Sequence, residues 1–201
     1  STDWPSPPDT LRSPDNRWRN SVFDCFMFLQ RPEAQRPDRE AIVIRGACAG
    51  SYPDWTRENV IDLDASALAH VSGYPGYLRC HRRAAPAILA LLDKWRSDDL
   101  LHLAISYAGA FVPRYKRGRA PSKAAGHPVQ RSADVPDLSE HAFGSAFDIN
   151  AACNPLGQTP AVCGRKGSTR ELVASANALG FFWGGHYRNR KDGMHFELAK
   201  L

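Results

Sequence analysis

The sequence predicts an α+β fold, and three observations carry that expectation. Two segments repeat apolar residues at helical spacing, and several others have the composition of short strands. The two kinds do not alternate as repeated strand–helix–strand units, so antiparallel pairing is favoured over a parallel sheet. With 201 residues, 43% of them hydrophobic and 23% charged, the chain is long enough to bury a core as a single domain over residues 1–201.

Residues 1–20, rich in Pro, Asp and Arg, read as an extended arm lying on the domain, and Arg31–Arg39 as a loop. Ala41–Arg45 and Asn59–Asp64 are enriched in β-branched residues and predict strands. From His81 to Arg96, Ala84, Ala85, Ile88, Leu91, Leu92 and Trp95 form one helical face, with Pro86 tolerated in the first turn. Leu101–Tyr107 alternates like a strand, Arg114–Leu138 is basic and polar like an exposed loop, and Phe143–Asn150 suits another strand. Ser168–Leu179 predicts a second helix: Ser168 and Glu171 have capping-box spacing, and Gly180 stands at the left-handed C-terminal position. The final MHFELAKL reads as a strand.

Composition excludes several classes. No apolar run reaches the roughly 18–20 residues of a membrane span, and the longest, Ala84–Leu92, is broken by Pro86. The opening STDWPSPPDT has neither a basic start nor an apolar stretch, as in a mature or trimmed chain or one exported unconventionally. The net charge of +5 suits polyanionic surroundings, but the Lys and Arg residues are scattered and no nucleic-acid-binding motif accompanies them. The five cysteines show no CxxC spacing, which argues against a cysteine zinc site. Cys153 and Cys163 bracket a short loop and are candidates for a disulfide, with free buried thiols as the other reading.

Two clusters carry chemistry, SEHAFGSAFDIN (139–150) and WGGH (183–186) with DGMHFE (192–197). A hydrolytic zinc takes three imidazole or carboxylate ligands and keeps a fourth position for water. His141, Asp148 and His195 supply such a set, and Asp192 stands three residues before His195, where a proton-accepting carboxylate is needed. Positions 141 and 148 differ in parity, so a continuous strand would aim them at opposite faces; Gly144 is the expected place for the chain to bend. A lone histidine is more often an ordinary hydrogen-bonded residue, Asp192 also reads as solvating a turn before Gly193, and HExxH is absent. His70, His81, His102 and His127 read as structural. Glu197, alternating with His195, is placed to hold it from behind, and Glu140 is a second acidic neighbour.

The pattern SxHxxGxAxD followed by carboxylate-x-x-His resembles the zinc metallopeptidases that include VanY-type D-alanyl-D-alanine carboxypeptidases and phage L-alanyl-D-glutamate endopeptidases. The resemblance covers roughly Tyr77–Leu201. It implies a Hedgehog/D-Ala-D-Ala-peptidase-like fold: a small antiparallel sheet bearing the zinc site with flanking helices, a catalytic core over 77–201 and an N-terminal extension (1–75) packed on it. It implies Zn2+ on His141, Asp148 and His195, Asp192 as base and acid, and an upstream arginine for the oxyanion. Arg114 fills that place in SYAGAFVPRYKRG, with Arg117 as competitor. Ser139, Trp183 and His186 are the candidates for substrate binding. Asp rather than Glu at 192 leans toward endopeptidase or L,D-type cleavage. The implied partner is the peptidoglycan stem peptide, with no nucleic acid and no membrane span. The implied location is periplasm, cell wall or secreted, an address shared by phage lysins and by effectors delivered to competitors. The alternative is a non-catalytic, zinc-containing wall-binding module of the same fold, which would have no use for Asp192.

Overall fold

A computed structural model describes residues 3–31, 41–50, 54–121 and 128–201. In chain order these form α1 (Asn16–Phe23), β1 (Phe26–Gln30), β2 (Ile42–Ala47), α2 (Trp55–Asn59), β3 (Val60–Leu63), β4 (Leu78–His81) and α3 (Ala85–Ser97). There follow β5 (Tyr107–Gly109), β6 (Gln130–Arg131), β7 (Ala146–Ile149), α4 (Val173–Ala178), β8 (Phe181–Trp183) and β9 (His195–Leu198). The strands pair antiparallel in three sheets, ordered β2-β1-β6, β3-β4 and β5-β7-β9-β8. Helices and small antiparallel sheets are thus mixed, as the α+β expectation requires. Among the described residues no helix is long and apolar enough to cross a membrane.

The four-stranded sheet has two unlike faces, and the reason is the two-residue period of a strand. Register pairs Phe147 with Phe196 and Asp148 with His195. Phe147 and Phe196 therefore stack on one face, their rings 5.9 Å apart, while Asp148 and His195 stand together on the other. Beneath the aromatic face lies α3, which buries Ile88, Leu91, Leu92 and Trp95. Trp95 meets Phe196 and Phe147 edge-on and donates its Nε1–H to the Leu172 carbonyl at 3.1 Å. Burying such side chains contributes about 1.5–3 kcal/mol each. One apolar cluster continues from this layer to Phe23, Phe26, Phe28 and Trp55 of the N-terminal third.

Several local expectations change. The 1–20 arm turns helical at Asn16, where the Asp15 side chain caps the Trp18 N–H at 2.7 Å. Leu101–Tyr107 is no strand. Leu101–Leu103 is a 3-10 turn that bonds to itself through Ala104 N–H and the Leu101 carbonyl; Ser106 makes a single parallel bridge to Ser72, and β5 begins at Tyr107. His81 ends a strand, and the helix expected from His81 begins at Ala85, with Pro86 in its first turn. The second helix is shorter, a 3-10 turn at Arg170–Leu172 followed by α4. Glu171 does not complete a capping box. Its carboxylate instead accepts from the Gly164 N–H and the Ser168 hydroxyl, both at 2.6 Å. The Arg114–Leu138 stretch is only partly loop: β6 joins the first sheet, and Tyr115 and Leu138 are buried. Most of the loop expected at Arg31–Arg39 lies outside the described residues, as does His127.

The disulfide expectation is also corrected. Cys25 and Cys48 are bonded, their Cα atoms 5.3 Å apart, while Cys153 and Cys163 are free thiols. Antiparallel pairing of β1 with β2 places Phe26 opposite Ala47, so the flanking cysteines meet. The Cys163 thiol instead donates to the Asp3 carbonyl at 3.2 Å.

Candidate metal centre

Each arm of the candidate site is set by a local backbone device. Ser139 caps a 3-10 turn, Glu140–Phe143, its Oγ accepting the His141 N–H at 3.3 Å. Gly144 ends the turn in the left-handed region (φ 68°), and a Cβ there would lie 2.5 Å from the His81 nitrogen. Here the chain bends, as the parity of 141 and 148 demands, and Asp148 comes off β7 on the same side as His141. His195 opens β9 directly opposite Asp148. Asp192 is drawn beside it by a tight turn, the His195 N–H donating to the Asp192 carbonyl at 3.2 Å. The Asp192 N–H in turn donates to the Gly184 carbonyl at 2.9 Å. Any Cβ at Gly184 would collide with Asp192 and would lie 3.1 Å from the His195 Cβ, so glycine permits this approach.

The result is a triangle of donor atoms. His195 Nδ1 lies 2.9 Å from Asp148 Oδ1 and 3.1 Å from His141 Nε2, and His141 Nε2 is 3.2 Å from Asp148 Oδ1. Tetrahedral zinc with bonds of about 2.0–2.1 Å sets its ligand atoms roughly 3.3 Å apart, so the triangle fits that ion. The His141 tautomer agrees. Its Nδ1–H donates to the Ala110 carbonyl at 2.6 Å, which leaves the Nε2 lone pair facing the triangle. Burial by itself would raise the Asp148 pKa, but the His141 and His195 side chains outweigh it and hold the carboxylate ionised.

His195 turns its other nitrogen toward Glu197. The carboxylate of Glu197 is fully buried, lies 3.6 Å from His195 Nε2, and accepts the Tyr187 hydroxyl at 2.9 Å. Burial and then the Glu197 charge push the Tyr187 pKa well above its ordinary value, so this phenol stays a donor. Glu140, with His195 and Glu197, makes a second group of closely spaced donors, but Glu140 is engaged by Arg19 and Lys116. Burial would raise its pKa; those two cations prevail and hold it near about 2.

A cleft of about 380 Å³ opens over the triangle and includes Arg114, Arg117, Ser139, His141, Asp192 and His195 in its lining. Asp192 has its pKa raised, first by burial and then by the Asp148 charge, against the pull of His195, His141 and Arg114. Its Oδ1 is buried with no hydrogen-bond partner among the described residues. Residues 133–198 match a family model described as D-alanyl-D-alanine carboxypeptidase. The chain is therefore similar to those enzymes over the stretch that supplies His141, Asp148, Asp192 and His195. No curated protein matches the chain in sequence.

Two of the expected substrate-binding residues fall elsewhere. Trp183 is fully buried, donates its Nε1–H to the Gly193 carbonyl at 2.9 Å, and does not line the cleft. His186 donates to the Pro5 carbonyl at 2.8 Å and packs against Trp4 and Trp183. The N-terminal arm covers both, its Trp4 ring held between Arg170 and Lys191, so they brace the wall behind the site. His81 is a buried structural residue, and His70 and His102 are exposed away from the site. Tyr187 was not anticipated. It follows WGGH in a segment with no periodicity, and only the fold brings its hydroxyl to Glu197.

Proposed function

We propose that the protein is a zinc-dependent peptidoglycan peptidase that hydrolyses an amide bond of the wall stem peptide. The observation that carries this reading is the His141–Asp148–His195 triangle, whose two histidines line an open cleft together with Asp192, an aspartate whose buried Oδ1 has no hydrogen-bond partner among the described residues. A zinc ion on those three side chains would supply an acidified water and an electrophile for the scissile carbonyl. Asp192, whose burial favours holding a proton, takes one from the attacking water and returns it to the departing amine. Arg114, close enough for its charge to be felt at Asp192, stabilises the oxyanion, a role in which one donor is commonly worth about a hundredfold in rate. Arg117 shares the cleft wall. Ser139, at the cleft floor, contacts the substrate backbone, and Tyr187 with Glu197 keeps the His195 ring aligned. Aspartate at 192 favours endopeptidase or L,D-type cleavage among the bonds of the stem.

Digestion of purified peptidoglycan by zinc-loaded protein tests the reading, with fragment masses identifying the bond. Fragments should appear, vanish with chelator, and fall about 10²–10⁴-fold for Asp192→Asn. Folded, zinc-loaded protein that releases nothing from several wall types would support the non-catalytic binding module instead.

A further inference from the structure

We propose that the cleft selects its peptide by charge: it takes stem peptides carrying several free carboxylates, and Arg119 and Arg188 are the residues that read them. The inference rests on the peptidase reading for the peptide itself and adds which peptides are accepted. Among the described residues, Arg114, Lys116, Arg117, Arg119, Arg188 and Arg190 line the cleft, against the carboxylates of Glu140 and Asp192. Glu140 is already matched by Arg19 and Lys116, so the balance along the walls is positive.

The cations come from two separate segments, 114–119 and 188–190, which the fold brings together. Arg190 bridges them, its Nη1–H donating to the Arg117 carbonyl at 3.1 Å. Structural duties therefore occupy Lys116 and Arg190, whereas Arg119 and Arg188 stand exposed at the rim. Like charges gathered around a concave surface repel one another and focus a positive potential into it, which an anion relieves. A guanidinium also grips a carboxylate through two parallel hydrogen bonds, while an amide offers it one uncharged oxygen. With the donor triangle and Asp192 on the floor, a peptide seated there lays its flanking groups against this rim.

The test is calorimetric titration of zinc-loaded, full-length Asp192→Asn protein with two synthetic stem peptides. They share one sequence; in one the side-chain and terminal carboxylates are free, in the other amidated. The free-acid peptide should bind at least about tenfold more tightly, and its advantage should shrink as salt is raised across the range where screening sets in, from about 0.02 to about 0.2 M. Adding Arg119→Gln and Arg188→Gln should remove most of the difference while zinc content stays unchanged. Equal affinity for the two peptides, or a preference that survives the double change, overturns the inference. A preference for the free-acid peptide that the double change abolishes, with no cleavage of either peptide by the unmodified protein, would sink the peptidase reading and leave the charge selection standing.

Discussion

Glu197 is a buried carboxylate, and what compensates its charge decides how firmly His195 is held. The Tyr187 hydroxyl donates to one oxygen and the His195 ring faces the other, so the three form a chain from the cleft wall to the donor triangle. Groups that orient a metal-binding histidine from behind commonly matter about 10–100-fold in metal affinity. Tyr187→Phe should weaken zinc binding by about that factor with the fold intact, as competition with a fluorescent chelator would measure; unchanged affinity would reduce Tyr187 to a packing residue. At this scale the sequence was informative where donors sit in short clusters. His141, Asp148 and His195 are brought together, and the parity of 195 and 197 already placed Glu197 behind the ligand. The surroundings of Trp183 and His186 were not legible, because they are made by Trp4 and Pro5, nearly the whole chain away.

The bend at Gly144 joins a 3-10 turn to β7, and it works because the residue has no Cβ to strike the backbone of His81 and Cys80. Gly144→Ala adds both the left-handed penalty and an overpacked contact, which together should cost about 2–4 kcal/mol. Urea denaturation measures the loss, and a cost below about 1 kcal/mol would mean that the bend relaxes easily. That bend was foreseen from parity, and α3 from its apolar spacing. The strands β1, β4 and β8 were not anticipated, because β4 has no clear alternation and all of β8 is buried. Leu101–Tyr107 shows the opposite error. Its alternation comes from a turn lying against the core, whose partly buried leucines imitate a strand face.

Across the whole molecule, His81 ties the end of β4 to α1 and to the start of α3. Its Nε2–H donates to the Phe23 carbonyl at 3.0 Å, and its Nδ1 accepts the Arg83 N–H at 3.1 Å, so both nitrogens are used by the neutral ring. Burial, aided by Arg83 and Arg82, lowers its pKa from 6.5 to about 4, despite the opposing Phe23 bond and Asp24 charge. A group whose folded pKa is depressed contributes its full share above the unfolded value and loses it as pH falls toward the folded one. Stability should therefore decline between pH 6.5 and about 4, by up to about 3 kcal/mol from this residue. In denaturant titrations across that range His81→Gln should show a shallower decline than the unmodified protein, and parallel curves would contradict the assignment. Long-range partnerships of this kind, like Cys25 with Cys48, leave no local pattern. They exist only once β1 has paired with β2 and β4 with β3.

Everything proposed about chemistry depends on His141, Asp148 and His195 sharing one zinc ion. Elemental analysis of the purified full-length chain beside Asp148→Asn, both checked for native circular dichroism, is the most direct measurement. The expected result is about one zinc per chain for the unmodified protein and almost none for the variant, since a carboxylate ligand replaced by an amide no longer offers an anionic oxygen. A folded chain that takes up no zinc, or a variant that holds as much as its parent, would contradict the metal centre.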